Sequence, residues 1–204
     1  MRSILSHIVG SDRESAFEFA EVIRAEIFSA ERLEQHAASL AAAQTVTTRP
    51  VAVQPLFARL RVNHRSLLDA HRAIAKSIAL GGAITPAAEW LVDNYHVVEA
   101  QIRQVRDDLP PGYYRQLPKL ADGPLAGYPR VLGLAWAFVA HTDSRFDASL
   151  LCQFVAAYQR VQPLTIGELW AIAITLRIVL IENLRRAAEL IASRRAVRQQ
   201  ADRV

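Results

Sequence analysis

The chain has 204 residues, of which 51% are hydrophobic and 22% charged, so it can bury the core of a globular domain and is not a disordered polymer. Its single cysteine, Cys152, excludes an internal disulfide and a multi-cysteine zinc site, and its apolar neighbours predict a core thiol. The net charge of +4 is carried by residues 183–204, which we interpret as a solvated helix end rather than a surface for nucleic acid.

The sequence predicts no membrane span. A spanning helix needs about 20 mostly apolar residues in a row, and the nearest candidate, residues 169–184, is interrupted by Arg177 and Glu182. Expressed alone, the chain is expected to be soluble and cytoplasmic.

The first predicted element is a long amphipathic helix over residues 12–43. Apolar residues recur there at helical spacing, namely Phe17, Val22, Ile23, Ile27, Leu33 and Leu40. Residues 44–53, rich in threonine and containing Pro50, read as a connector. A second helix is predicted over residues 55–80, ending at a pair of glycines, Gly81 and Gly82.

The third predicted helix begins with Thr85 as N-cap and Pro86 at its first position, and reaches about Asp108. Residues 110–129 follow, with five prolines and three glycines. Such a composition predicts a long irregular loop that aromatic and leucine side chains pin to the helices.

Three more helices are predicted, over residues 131–141, residues 147–160 and from Thr165 onward. Thr165 and Glu168 have the spacing of a capping box. The last helix meets no stop signal, so we expect the chain to be a fragment. The predicted fold is all-α, an irregular bundle of five to six helices in which an N-terminal helix (1–48) and a helical bundle (54–204) form one unit.

Motifs for chemistry are sparse. Asp93 and His96 form one half of a metal-binding pair, and neither a phosphate-binding loop nor a nucleophile elbow is present. We therefore predict no catalytic residue and no metal ligand. Aromatic rings beside planar polar groups can bind sugars, and the candidates are Trp90, Tyr95, His96, Tyr113, Tyr114 and Arg115. The alternative, which we favour, is that these rings dock the proline-rich loop onto a helix.

Four long stretches resemble cyclic β-1,2-glucan synthases in the region that precedes the glucosyltransferase. They are EIFSAERLEQHAASLAAAQ (26–44), TPAAEWLVDNYHVVEAQIRQVRDDLPPGYYRQLPKL (85–120), GPLAGYPRVLGLAWAFVAHTDSRFD (123–147) and YQRVQPLTIGELWAIAITLRIVLIENLRR (158–186). Together they extend over most of the chain.

This resemblance implies a part of a large bacterial inner-membrane enzyme that uses UDP-glucose and a divalent metal. It implies a location on the cytoplasmic side of that membrane and the glucosyltransferase portion as partner. The Asp-x-Asp and Gln-x-x-Arg-Trp motifs expected of the family are absent here. No active-site residue is therefore carried over, and no cofactor is expected for this chain itself.

Three hypotheses follow. The first is a non-catalytic helical scaffold that packs against the glucosyltransferase portion. The second is a helical module that binds carbohydrate or a nucleotide sugar through the aromatic cluster. The third is an independent interaction module whose amphipathic first and last helices pair with another protein. A truncated fragment is instead expected to expose an apolar stripe and to self-associate.

Overall fold

The computed structural model describes residues 22–81 and 85–201, with side chains as far as residue 193. This part of the chain holds eight helices: α1 (Ala30–Ala43), α2 (Leu56–Ala79), α3 (Pro86–Asp93), α4 (Tyr95–Asp108), α5 (Pro111–Gln116), α6 (Arg130–His141), α7 (Ala148–Val161) and α8 (Ile166–Ala201). The two-residue strands β1 (Val46–Thr47) and β2 (Lys119–Leu120) pair antiparallel. The all-α prediction is confirmed, with more helices than the five to six predicted.

Helix α8 is the central element of the bundle, because α2, α4 and α6 all pack against it. Helix α6 is apolar on almost every side and largely buried, as expected of a helix enclosed by others. Helix α1 packs mainly on α7, and also touches α6. None of the described helices has the length and apolar character needed to cross a bilayer.

The prediction of a helix over residues 12–43 is wrong for residues 22–29, which are not helical, while residues 12–21 lie outside the described part. The backbone amides of this segment are used elsewhere: Ile23 N–H donates to Asn183 Oδ1 (2.6 Å) and Ala25 N–H to the Ala140 carbonyl (3.0 Å). Ser29 then caps α1 by accepting from the Arg32 amide. The tertiary bonds of the segment therefore replace the helical ones.

The helix predicted from Thr85 to Asp108 is divided in two at Asn94. The Asn94 amide and its side chain both donate to the Trp90 carbonyl (3.0 and 2.9 Å), so Asn94 caps the end of α3. Residues 110–129 are also more ordered than an irregular loop. Pro111 stands at the first position of α5, where a missing N–H costs nothing, and β2 follows within the same stretch.

The predicted N-cap of α3 is confirmed, because Thr85 Oγ1 accepts from the Ala88 amide. At the start of α7, Asp147 Oδ1 accepts from the Leu150 amide, a cap that was not predicted. At the start of α8 the capping box is complete, because the Thr165 amide donates to Glu168 Oε2 (2.9 Å) and the Glu168 amide donates to Thr165 Oγ1 (3.2 Å). Local sequence signals thus define where α3, α7 and α8 begin.

Candidate functional site

The inward face of α8 carries a buried carboxylate, Glu182, held by arginines. Arg59 of α2 makes a two-pronged contact with it (2.6 and 3.1 Å), and Asn63 donates to Oε2 (2.7 Å). Arg185 and Arg186 add two further bonds, each of 3.0 Å. Burial alone raises the pKa of Glu182, but the hydrogen bonds and charges of Arg59 and Arg185 outweigh it and hold the pKa at about 2.

A second buried ion pair fixes the beginning of α8. Arg130 of α6 donates to both oxygens of Glu168 (2.5 and 2.8 Å). Its remaining N–H groups reach the Gln162 side chain and the Pro163 carbonyl, each at 2.7 Å. Because each of these two glutamates is held by several donors, α8 has a fixed rotation and register against α2 and α6.

The outward face of α8 is mostly apolar, exposed in its first half and partly exposed in its second. Its residues alternate in steps of four and three, which places them on one side of a helix: Ile166, Trp170, Ala173, Arg177, Leu180 and Leu184. We call this set the outer face of α8. Ile166 is 70% exposed and Trp170 73% exposed, whereas large apolar side chains are usually covered when they follow such a repeat.

Two apolar hollows flank the outer face of α8. The larger, of about 580 Å³, lies between α7 and α8 and is bordered by Phe146, Cys152 and Val155. The smaller, of about 220 Å³, lies between α4 and α8 under Trp90 and Val97. Both are lined by Arg177 and Leu180. The hollows therefore border the outer face of α8 on its two sides, and such grooves beside an apolar helix face can receive another helix.

Charge on this surface is limited. Arg177 is paired with Asp108 at 3.0 Å, and both side chains are partly exposed. Cys152 was predicted to be a core thiol, and this is wrong: it is exposed on α7 and lines the larger hollow. Its neighbours Leu150 and Leu151 misled the prediction, because the buried face of α7 begins at Phe154 and Val155.

The predicted sugar-binding residues on α3 and α4 have different environments. Trp90 is 51% exposed and lines the smaller hollow. Tyr95 is buried and stacks on His71 with ring centroids 4.4 Å apart. His96 is exposed, and its Nδ1 lies 3.1 Å from the Asp93 carbonyl. Of these three, Trp90 alone borders one of the two hollows.

The predicted residues on α5 serve mainly to attach that helix. The Tyr113 hydroxyl donates to the Gly167 carbonyl at the start of α8. Tyr114 is buried and its hydroxyl donates to the Gln54 carbonyl (2.8 Å), while Arg115 is exposed. Tyr113 thus contacts α8 at Gly167, whereas the hollow under Trp90 reaches α8 at Arg177. The two points are ten residues apart, or roughly 15 Å along the helix. The structure does not bring the six residues into one pocket.

The acidic side chains of the described residues are either dispersed or paired with arginines. Within residues 22–81 and 85–193, no three His, Cys, Asp or Glu side chains lie close enough to hold a metal ion together. Glu168 and Glu182 are both occupied by arginines. Sequence reasoning missed the outer face of α8, although its alternating spacing was readable, because apolar residues occur on every side of this helix.

Comparison with known proteins identifies a relationship. The chain is 42% identical over 187 residues to the cyclic beta-(1,2)-glucan synthase NdvB of Rhizobium meliloti (strain 1021). The match covers 92% of this chain and 7% of that protein. No family model matches the chain. The resemblance predicted from the sequence is therefore confirmed, and this chain is related to one small region of a cyclic glucan synthase.

Proposed function

We propose that this relative of one region of cyclic β-(1,2)-glucan synthase is a non-catalytic helical scaffold that packs against the glucosyltransferase portion of such an enzyme. The observation that carries the proposal is the outer face of α8, an apolar surface fixed from behind by buried ion pairs. The occupant is a helix of the glucosyltransferase portion with apolar residues at the same alternating spacing. The long match to a synthase supports this choice of partner.

Rigidity supports a scaffold role. Side chains that bind a partner lose less conformational freedom when the element that carries them is already fixed. Arg130–Glu168 and the Glu182 cluster hold α8 at two places 14 residues apart. The outer face, which runs along the same stretch of α8, is therefore presented in one geometry.

A binding experiment tests the proposed docking. The chain is titrated against the remainder of the Rhizobium meliloti synthase, purified without the matched region, and the dissociation constant is measured by fluorescence anisotropy. Trp170→Ser combined with Leu180→Ser should weaken binding at least about tenfold, because central aromatic and leucine contacts dominate such interfaces. Val51→Ser is the matched control, since Val51 is 97% exposed and belongs to the connector before α2. Equal affinity of the double variant and the control would contradict docking through α8.

An activity assay tests the non-catalytic role separately. The purified chain is incubated with UDP-glucose and Mg²⁺, and products are separated by size. We expect no glucan, because the two best-buried carboxylates are both engaged by arginines and are therefore not available as a general acid or base. Sustained formation of glucan by the chain alone would refute this part of the proposal.

A second candidate function, glucan binding, rests on Trp90. An exposed indole above a hollow that also contains Gln101 can stack on a sugar ring while the amide bonds to its hydroxyls. Calorimetry with linear β-1,2-glucan should give a saturable heat that Trp90→Ala abolishes and Trp170→Ala preserves. Absence of heat at millimolar glucan would dismiss this function and leave the scaffold proposal unaffected.

A further inference from the structure

A separate pocket lies on the side of α6 that faces α1, away from the outer face of α8. It has a volume of about 380 Å³ and is bounded by the end of α1, by α6 and by the residues that follow β2. Its walls are mostly apolar, with Leu40, Leu120, Leu125 and Trp136 among them, and its polar side chains are Gln44 and Asp122. Its size is in the range that small organic ligands use.

The amide of Gln44 is oriented by the protein. Its Oε1 accepts a hydrogen bond from the Tyr158 hydroxyl (2.6 Å). Tyr158 is itself buried and contacts Gln162, which Arg130 holds. With Oε1 fixed in this way, Nε2 lies at the floor of the pocket beside Gly133. The hydrogen bonds among the described residues give this N–H₂ group no protein acceptor.

Gly133 leaves the floor of the pocket open. A Cβ atom at this position would lie 3.0 Å from Gln44 Nε2 and 3.4 Å from Leu120 Cδ1. Glycine inside a helix destabilises it relative to alanine, and here its backbone does not need positive φ. The space above Gly133 is thus the feature that an alanine would remove. Gly112 of α5 differs, because a Cβ there would meet nothing within 4 Å.

We infer that this pocket binds a small, uncharged, mostly hydrocarbon molecule through one carbonyl oxygen, which accepts a hydrogen bond from Gln44 Nε2. The apolar walls cannot satisfy a molecule with many hydroxyl groups. The carboxylate of Asp122 disfavours an anion at the pocket. An aryl or alkyl amide, ester or ketone meets both conditions. This inference is independent of docking through α8.

Acetanilide is a suitable probe, since it combines a phenyl ring with one amide carbonyl. In a ¹H–¹⁵N NMR titration of the full chain we expect saturable shifts at residues around Gly133 and Gln44, with a dissociation constant of about 1 mM for a ligand of this size. D-glucose at the same concentrations should cause no such shifts. Absence of saturation with acetanilide, or saturation with glucose instead, would overturn the inference.

Variants locate the binding. Gly133→Ala should weaken acetanilide binding at least about tenfold, because its methyl group fills the floor and displaces the donor, whereas Gly112→Ala should leave the affinity unchanged. Gln44→Leu should weaken binding at least about fivefold, because it removes the hydrogen-bond donor. This variant tests the inference if Gly133→Ala does not fold. Unchanged affinity in a folded Gly133→Ala or Gln44→Leu variant would show that the probe binds elsewhere and would refute the inference.

Discussion

The two faces of α8 differ in the groups they hold: the inner face buries two carboxylates among apolar residues, and the outer face exposes large apolar side chains. Toward the bundle the helix presents Glu168 and Glu182, which are 0% and 1% exposed. Away from the bundle it presents Ile166 and Trp170, which are 70% and 73% exposed. Charged groups are rarely buried unless they are paired, and exposed apolar stripes mark contact surfaces. The difference indicates that burial on one side fixes α8, while the other side is available to a partner.

The inner face predicts the largest effect. Glu182→Gln removes the buried charge that compensates the buried Arg186 and the partly buried Arg59 and Arg185. We expect the free energy of unfolding to fall by about 3–5 kcal/mol, as is typical when one partner of a buried pair is removed. Urea unfolding followed by circular dichroism measures it.

Glu189→Gln provides the control for that experiment. Glu189 also contacts Arg185, but it is 40% exposed, and exposed pairs contribute about 0–1 kcal/mol. If the two variants lost similar free energies of unfolding, burial of Glu182 would add nothing to its contribution. The inner face of α8 would then not be stabilised by its buried ion pairs.

The same carboxylate predicts sensitivity to acid. The arginines hold the pKa of folded Glu182 at about 2, below its usual 4.5, so its contribution to stability is present above pH 4.5. As the pH falls from 4.5 toward about 2, the unfolded state takes up a proton first and this contribution is lost. The midpoint temperature of thermal unfolding should therefore fall more steeply over this range in the wild type than in Glu182→Gln. Parallel curves for the two proteins would contradict the assignment.

An intermediate effect is expected at the start of α8. Thr165→Ala removes the hydroxyl that accepts from the Glu168 amide, and loss of such a cap costs about 1 kcal/mol. Thr165→Ser keeps the hydroxyl and should retain most of the stability in the same urea experiment. An equal loss in both variants would assign the effect to the methyl group and not to the cap.

Glu168 makes one contact that could be predicted from the sequence and one that could not. The capping box was readable because Thr165 and Glu168 are three residues apart, and local spacing decides local hydrogen bonds. The pairing of Glu168 with Arg130 was not readable, since the partners are 38 residues apart and meet only when α6 packs on α8. Similarly, the predicted start of α1 failed because the amides of residues 22–29 bond to α6 and α8.

The aromatic cluster teaches the same distinction. Tyr113 and Tyr114 are adjacent residues of the same type, yet the side chains of consecutive helical residues point about 100° apart. Tyr114 enters the core, whereas Tyr113 remains half-buried against Gly167. Sugar binding by the exposed members stays a prediction. The all-α class was predictable because helical periodicity and caps are local, while the role of each face depends on contacts between distant helices.

A smaller, pH-dependent effect is expected where residues 22–29 cross α6. Phe28 stacks on His141 with centroids 3.9 Å apart, and the His36 ring lies 4.6 Å from that of His141. Burial and then the neighbouring His141 lower the pKa of His36. The folded state therefore favours neutral His36, and this contribution is lost as the pH falls below the ordinary value of 6.5.

Hydrogen exchange measures this effect at one amide. The Phe28 N–H donates to the His141 carbonyl (3.1 Å), so its protection should decrease, by less than about tenfold, between about pH 7.5 and pH 5.5 after correction for intrinsic rates. In His36→Phe, which has no proton to bind, the decrease should be smaller. A decrease of the same size in the variant would exclude His36 as its cause.

The smallest effect on stability is predicted for the outer face, and it is the most informative about function. Trp170→Ala removes an indole that is already 73% exposed, so the free energy of unfolding should change by no more than about 0.5 kcal/mol. Phe138→Ala, which removes a ring that is 1% exposed in α6, should by contrast cost about 3–5 kcal/mol. A large loss for Trp170→Ala would mean that the indole stabilises the isolated chain. A negligible loss, combined with weakened binding to the rest of a synthase, would mean that this tryptophan is retained for contact with a partner and not for folding.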